Sequence, residues 1–207
     1  MVIGAVVVGA LLFMGGGKVV SHFLHHEPTP AFDFKVGKTA AISTSDKVKG
    51  KDLQSQADQV AQQTLPTIDA LFTEAYLNPN NWKHDDYGSA LDEFDDAARP
   101  SAERELATVT LGPDAGNTYS TVTPRKSKVW FRVLFDPSGN PSQVVAKVRF
   151  HALGKRQDGT YTDITAHGEF FMRGSDWKIF AFTIGRADHE TTPPAAPSSG
   201  ASPSASS

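Results

Sequence analysis

Residues 128–136 read KVWFRVLFD, residues 144–153 read VVAKVRFHAL, residues 160–172 read TYTDITAHGEFFM and residues 177–185 read WKIFAFTIG. In each stretch apolar and polar residues alternate, which is the period of a β-strand with one buried face. The connections are Pro137-Ser138-Gly139-Asn140-Pro141, residues 155–159 and Arg173-Gly174-Ser175-Asp176. They are short and rich in turn formers, and they predict an antiparallel meander. Residues 117–123 are read as a further strand. The predicted inner face carries Val129, Phe131, Val133 and Phe135, then Val144, Ala146, Val148, Phe150 and Ala152. It continues with Ile164, Ala166, Gly168, Phe170 and Met172, then Phe180, Phe182 and Ile184. Lys178, at its edge, is the single titratable residue expected on that face.

A sheet with one apolar face needs a cover. Upstream, Leu53, Ala57, Val60, Ala61, Leu65, Ile68, Leu71, Phe72 and Ala75 recur at three- and four-residue spacing. That stripe belongs to one long amphipathic helix, kinked rather than broken at Pro66. Asn78-Pro79-Asn80-Asn81 ends it. A second helix is predicted over 85–97 from Tyr87, Ala90, Leu91, Phe94, Ala97 and Ala98, and a short third one with Ser101 as its cap. The reading is an α+β domain over residues 51–190. In it a kinked N-terminal helix and short helices pack on a curved, mainly antiparallel sheet of four or more strands. Residues 27–50 read as a linker, in which the alternation of Phe32, Phe34 and Val36 marks a short strand.

The chain has 207 residues, 20 Lys+Arg and 23 Asp+Glu, for a net charge of −3. Without a clustered positive excess it is not read as a nucleic-acid binder. It has no cysteine, which excludes disulfides, thiol catalysis and cysteine zinc sites.

Residues 2–17 carry no charge, and Val19, Val20, Phe23 and Leu24 extend the apolar run. Residues 2–24 are read as a single transmembrane helix, within an anchor segment 1–26. A cleaved signal peptide is the competing reading, although no basic residue precedes the run. A buried core helix is the third, disfavoured by the glycines of the run. Lys18 on the C-terminal side points to a cytoplasmic domain by the positive-inside rule. The tail and the resemblance below point to the outside instead. Residues 191–207, TTPPAAPSSGASPSASS, have no charge and no large apolar side chain, and they read as a disordered extension.

The order of elements over about residues 50–187 resembles the cone-shaped domain of the nuclear transport factor 2-like superfamily. With the N-terminal apolar segment, the chain is similar to anchored envelope proteins of actinobacteria, among them the Mce-associated membrane proteins. FDDAARP at 94–100 and WKIF at 177–180 carry most of that resemblance. It implies an extracytoplasmic, single-pass domain. The superfamily spans isomerases, dehydratases, transport factors and secretion scaffolds, so the fold does not choose the function.

The outer face carries Lys128, Trp130 and Arg132, then Lys147, Arg149 and His151, then Tyr161, Asp163, Thr165, His167 and Glu169. Cross-strand ion pairs explain this arrangement simply. An aromatic beside arginines is also what interaction hot spots contain, so Trp130, Arg132, Arg149 and Tyr161 are the candidate binding residues. Enzymes of the resembled superfamily hold an acid or base inside the cone. The catalytic alternative here takes Asp163 and His167 as general acid and base, with Tyr161 as a donor. Those two stand four apart on one strand, about 13 Å, too far for a direct dyad. A bulge at Gly168 would turn His167 or Glu169 inward.

His22 and His26 would share a helix face, but a metal site is not expected. The carboxylates of Asp92-Glu93-Phe94-Asp95-Asp96 diverge on a helix. No phosphate loop, serine elbow or zinc spacing is present, and no cofactor is expected. The sequence thus reads as a membrane-tethered, non-enzymatic binding or assembly module of the bacterial cell envelope. Its partner would be an envelope protein or a second copy. The alternative is a carrier of a small hydrophobic ligand, or an isomerase- or dehydratase-type enzyme. Either would use an apolar cone lined by Phe131, Phe135, Phe150, Phe170 and Phe182, unless those rings fill it.

Overall fold

A computed structural model of the chain describes residues 29–30, 32–43 and 53–192. The apolar run 2–24, the pair His22 and His26, and residues 193–207 of the tail lie outside them. No helix among the described residues is long and apolar enough to cross a membrane.

The domain is α+β. Strand β1 (Lys35–Ser43) precedes the long helix α1 (Leu53–Phe72), which passes through Pro66 and widens into a π-helical turn, Thr73–Leu77. Short helices follow: α2 (Pro79–Trp82), α3 (Gly88–Leu91), α4 (Arg99–Arg104), α5 (Leu106–Val109) and α6 (Ala115–Thr118). The remaining strands are β2 (Tyr119–Pro124), β3 (Lys128–Phe135), β4 (Pro141–Arg156), β5 (Tyr161–Arg173) and β6 (Lys178–Thr191).

Strands β3 to β6 form the expected antiparallel meander. The sheet as a whole is mixed, because β1 joins its edge parallel to β3. The segment read as a linker therefore supplies a strand, and that strand begins where the Phe32-Phe34-Val36 alternation ends. Strand β4 is long enough to pair with β3 along its first half and with β2 along its last residues. Ser127 closes the gap between those two partners. Its hydroxyl accepts the His151 amide at 3.0 Å, and its carbonyl accepts the Lys35 amide at 3.2 Å.

The inner face follows the alternation through β5. Val129, Phe131, Val133, Val144, Ala146, Val148, Phe150, Ala152, Ile164, Ala166, Phe170 and Met172 are all buried. Helix α1 covers them with Ala57, Val60, Ala61, Ile68, Leu71 and Phe72. Phe150 sits at the centre, its ring 4.8 Å from Tyr76, 5.1 Å from Phe72 and 5.6 Å from Phe32. Phe34 stacks edge-on against Phe72 at 5.1 Å. Aromatic rings from helix, strand and N-terminal segment thus fill the space under the sheet.

Four expectations are corrected. The helix over 85–97 is only the turn α3. The chain leaves helical geometry to run beside β6, where Ile179 donates to the Glu93 carbonyl at 3.0 Å and Asp95 donates to the Ile179 carbonyl at 2.9 Å. Tyr87, Ala90, Leu91, Phe94 and Ala98 still point into the core, while Ala97 is exposed. Ser101 does not cap α4. Asp95 Oδ1 holds the preceding turn instead, accepting from the amides of Ala97 and Ala98. On β6 a register shift opposite Phe171 and Met172 buries Ile179 and turns Phe180 outward, against Phe171 and Arg173. Gly168 holds regular register opposite Val148 and Ile184, so no bulge turns His167 or Glu169 inward.

Candidate functional site

The outer face holds an open groove of about 1140 Å³ across β3 to β6. One wall is Trp130. The register of β1 slips between Val36 and Thr39, which leaves Gly37 beside the indole. A Cβ at Gly37 would stand 2.4 Å from Trp130 Nε1, so only glycine leaves the ring its seat. The other wall is His167. Its register partner on β6 is Gly185, where a Cβ would come within 3.2 Å of the imidazole. Between the walls, Lys147 and Arg149 project from β4. Lys147 stands opposite Trp130 and Glu169, and Arg149 opposite Lys128 and His167.

The electrostatics are one-sided. Glu169, the acidic side chain of the groove, is bound by Arg132 at 2.9 Å. The Arg149 guanidinium lies 6.0 Å from the Trp130 ring centroid. Neither Lys147 nor Arg149 has a carboxylate partner among the described residues. The groove therefore offers two unneutralised cations, an indole and an imidazole, and is suited to an anion with some apolar surface.

The structure brings together Trp130 and Arg149 from the candidate binding set, with Arg132 beside them on Glu169. It does not bring Tyr161 there. Tyr161 pairs with Lys155 and Thr191 at the far end of β5, six residues from His167, or about 20 Å along the strand. Asp163 and His167 are likewise not partners. Asp163 Oδ1 lies 2.7 Å from His151 Nε2, and this pair borders a smaller pocket of about 380 Å³ with Arg125 and Lys126. Sequence reasoning placed His151 on the correct face. It had no register with which to pair it to Asp163.

One polar cluster was missed altogether. Strand β6 does not stop at Gly185, and it carries Arg186 and Asp188 along the face that begins with Phe182 and Ile184. Arg186 donates to Asp188 Oδ1 at 3.0 Å and to the carbonyls of Thr110 at 2.9 Å and Ala107 at 3.3 Å. The Tyr119 hydroxyl donates to Asp188 at 3.2 Å. Burial would lower the Arg186 pKa, but the hydrogen bonds and charge of Asp188 outweigh it and raise it. Nearby, the Tyr76 hydroxyl donates to the Thr108 carbonyl at 2.8 Å and that of Tyr87 to the Gly112 carbonyl at 2.9 Å. Burial pushes both phenols above the usual tyrosine range. Each of these groups has its partner, and through them Arg186 ties the α5 segment to β6 while Tyr119 ties the start of β2 to it. The expectation that Lys178 alone is titratable on this face is corrected on both counts: the register shift sets Lys178 opposite Arg173, on the other side from Met172 and Ile179, and Arg186 and Asp188 stand on the inner face instead. The signal was present as alternation in Phe182, Ile184, Arg186 and Asp188, hidden because the last two are charged.

Among the described residues, no group of three or more His, Asp or Glu side chains is placed to hold a metal ion. No family model matches the sequence, and no significantly similar curated protein or solved structure was found.

Proposed function

We propose that this chain is a non-enzymatic binding module that captures a partner on the outer face of its sheet. The observation that carries the reading is Trp130, seated over Gly37 and facing Lys147 and Arg149 across an open groove. A half-buried aromatic with unneutralised cations beside it is the composition of an interaction hot spot. The aromatic filling around Phe150 speaks against the carrier or cone-enzyme alternative, which needs open space there.

The module is tethered to the membrane of a bacterial envelope by residues 2–24 and works on the outside. The uncharged apolar run supports the tether, and the uncharged Pro/Ala/Ser tail supports the outside, against Lys18, which points the other way. The order of a long helix, short helices and a four-stranded meander supports a nuclear transport factor 2-like cone, to which β1 is an addition. Deletion of residues 2–24 should release the protein from carbonate-washed membranes, and retention would sink the tether.

A photo-crosslinking side chain at Thr183, an exposed position in the groove, tests the binding face directly. A discrete adduct is expected there, lost with Trp130→Ala and absent when the crosslinker stands at Gln63 on α1. An adduct indifferent to Trp130→Ala would refute the binding face. A second reading, acid–base chemistry at His151 and Asp163, is favoured by their 2.7 Å contact. It would require a turnover that His151→Asn abolishes and Trp130→Ala leaves intact.

A further inference from the structure

We infer that the groove takes an extended acidic peptide with carboxylates on alternate residues, supplied by a different protein. The inference rests on the binding-module reading and adds the partner's chemistry. Lys147 and Arg149 are two apart on β4 and both point outward, so their backbones stand roughly 6.7 Å apart. An extended peptide repeats its same-side residues at that same spacing. Two carboxylates separated by one residue therefore meet both cations at once, whereas adjacent carboxylates point to opposite sides and meet one.

The walls fix the lane. Trp130 on β3 and His167 on β5 lie on either side of β4 in rows two residues apart, which sets them diagonally about 12 Å from one another. That width admits one extended chain lying along β4. Glu169 cannot fill the role from within, because Arg132 holds it. The stretches of this chain outside the described residues cannot either. Residues 1–28 contain one carboxylate, Glu27; residues 44–52 contain Asp46 and Asp52, six apart; and residues 193–207 contain none. Charge complementarity and spacing thus point to another protein's segment.

The test uses the full chain in detergent micelles and dye-labelled peptides read by fluorescence anisotropy. GSESESESESG carries alternate glutamates; GSEESSSEESG has the same composition with no two glutamates two apart; GSQSQSQSQSG is neutral. The alternate peptide should bind about fivefold more tightly than its isomer, the size of one extra exposed ion pair. Lys147→Gln or Arg149→Gln should erase that preference while the circular dichroism is unchanged. Equal binding of the two acidic peptides overturns the spacing argument, and equal binding of the neutral one overturns the charge argument. Binding of inorganic polyphosphate with GSESESESESG silent reassigns the groove to a phosphate polymer and also overturns the proposal. If every probe is silent while the Thr183 crosslinker still traps its partner, the peptide chemistry is wrong and the binding face stands. If the crosslink fails too, both fall.

Discussion

The indole of Trp130 occupies the volume that a side chain on Gly37 would need, and a Cβ there would stand 2.4 Å from its Nε1. Gly37 has an ordinary negative-φ backbone, so alanine meets a steric obstacle rather than a conformational one. Gly37→Ala should cost about 1–2 kcal/mol in urea unfolding. In a Trp130→Ala background most of that cost should vanish, the coupling expected of two residues in contact. Equal costs in both backgrounds would show that the ring does not depend on this glycine.

Asp69 on α1 accepts the Phe34 amide at 2.9 Å. Burial raises its pKa from 3.8 to about 6, against the Phe34 hydrogen bond and with help from Asp33. The folded state thus holds this proton more tightly than the unfolded one. Its contribution to stability is full below the unfolded value and is lost as pH rises through about 6. Asparagine keeps the acceptor without the charge. Asp69→Asn should stabilise the protein above pH 6 by about 1 kcal/mol, reduced by partial solvent screening, and change little in strong acid. Urea midpoints at several pH values check the sign.

Arg186 is only 14% exposed, and it serves Asp188 and two backbone carbonyls. Arg186→Leu strands these acceptors and should cost about 3 kcal/mol. The double variant Arg186→Leu with Asp188→Leu should recover part of that loss, because the uncompensated carboxylate is gone. No recovery would mean that the carbonyl contacts matter more than the ion pair.

Phe150 touches rings from three directions and is fully buried. Phe150→Ala should cost about 3–5 kcal/mol through the cavity it leaves. Benzene should raise the melting temperature of that variant and leave the parent unmoved. A parent that is itself stabilised by benzene would show open space under the sheet and revive the carrier reading.

The chain has four tyrosines, and burial raises the pKa of Tyr76, Tyr87 and Tyr119. Their raised values favour the folded state up to the ordinary tyrosine range, and the advantage is lost as pH climbs beyond it. Alkaline titration followed at 295 nm should show these three ionising together with unfolding. Free titration of these three in the folded protein would contradict the burial.

Alternation made β3, β4 and β5 legible, because each buries one apolar face in the core. It failed on β6 for a local reason: the register shift beside Phe171 exchanges Ile179 for Phe180, and a period of two cannot survive an inserted residue. The far half of β6 escaped because Arg186 and Asp188 look like solvent residues when their partners, the carbonyls of 107 and 110, are unknown. Strand β1 was hard to see for a different reason. It is a polar edge strand, and its parallel pairing to β3 depends on contacts far away in the sequence. For the groove, sequence supplied Trp130 and Arg149. The two flanking glycines acquire meaning only once their neighbours across the sheet are known.

Phe32 and Phe34 stand just before β1, and both rings are packed against Phe150. A mechanical load entering from the N-terminal side meets this aromatic plug before it reaches the hydrogen bonds that hold β1 to β3. Pulling would have to extract two rings from the core before the edge strand could begin to peel. Strand β1 is thus guarded at its N-terminal end by side-chain packing and not by hydrogen bonds alone.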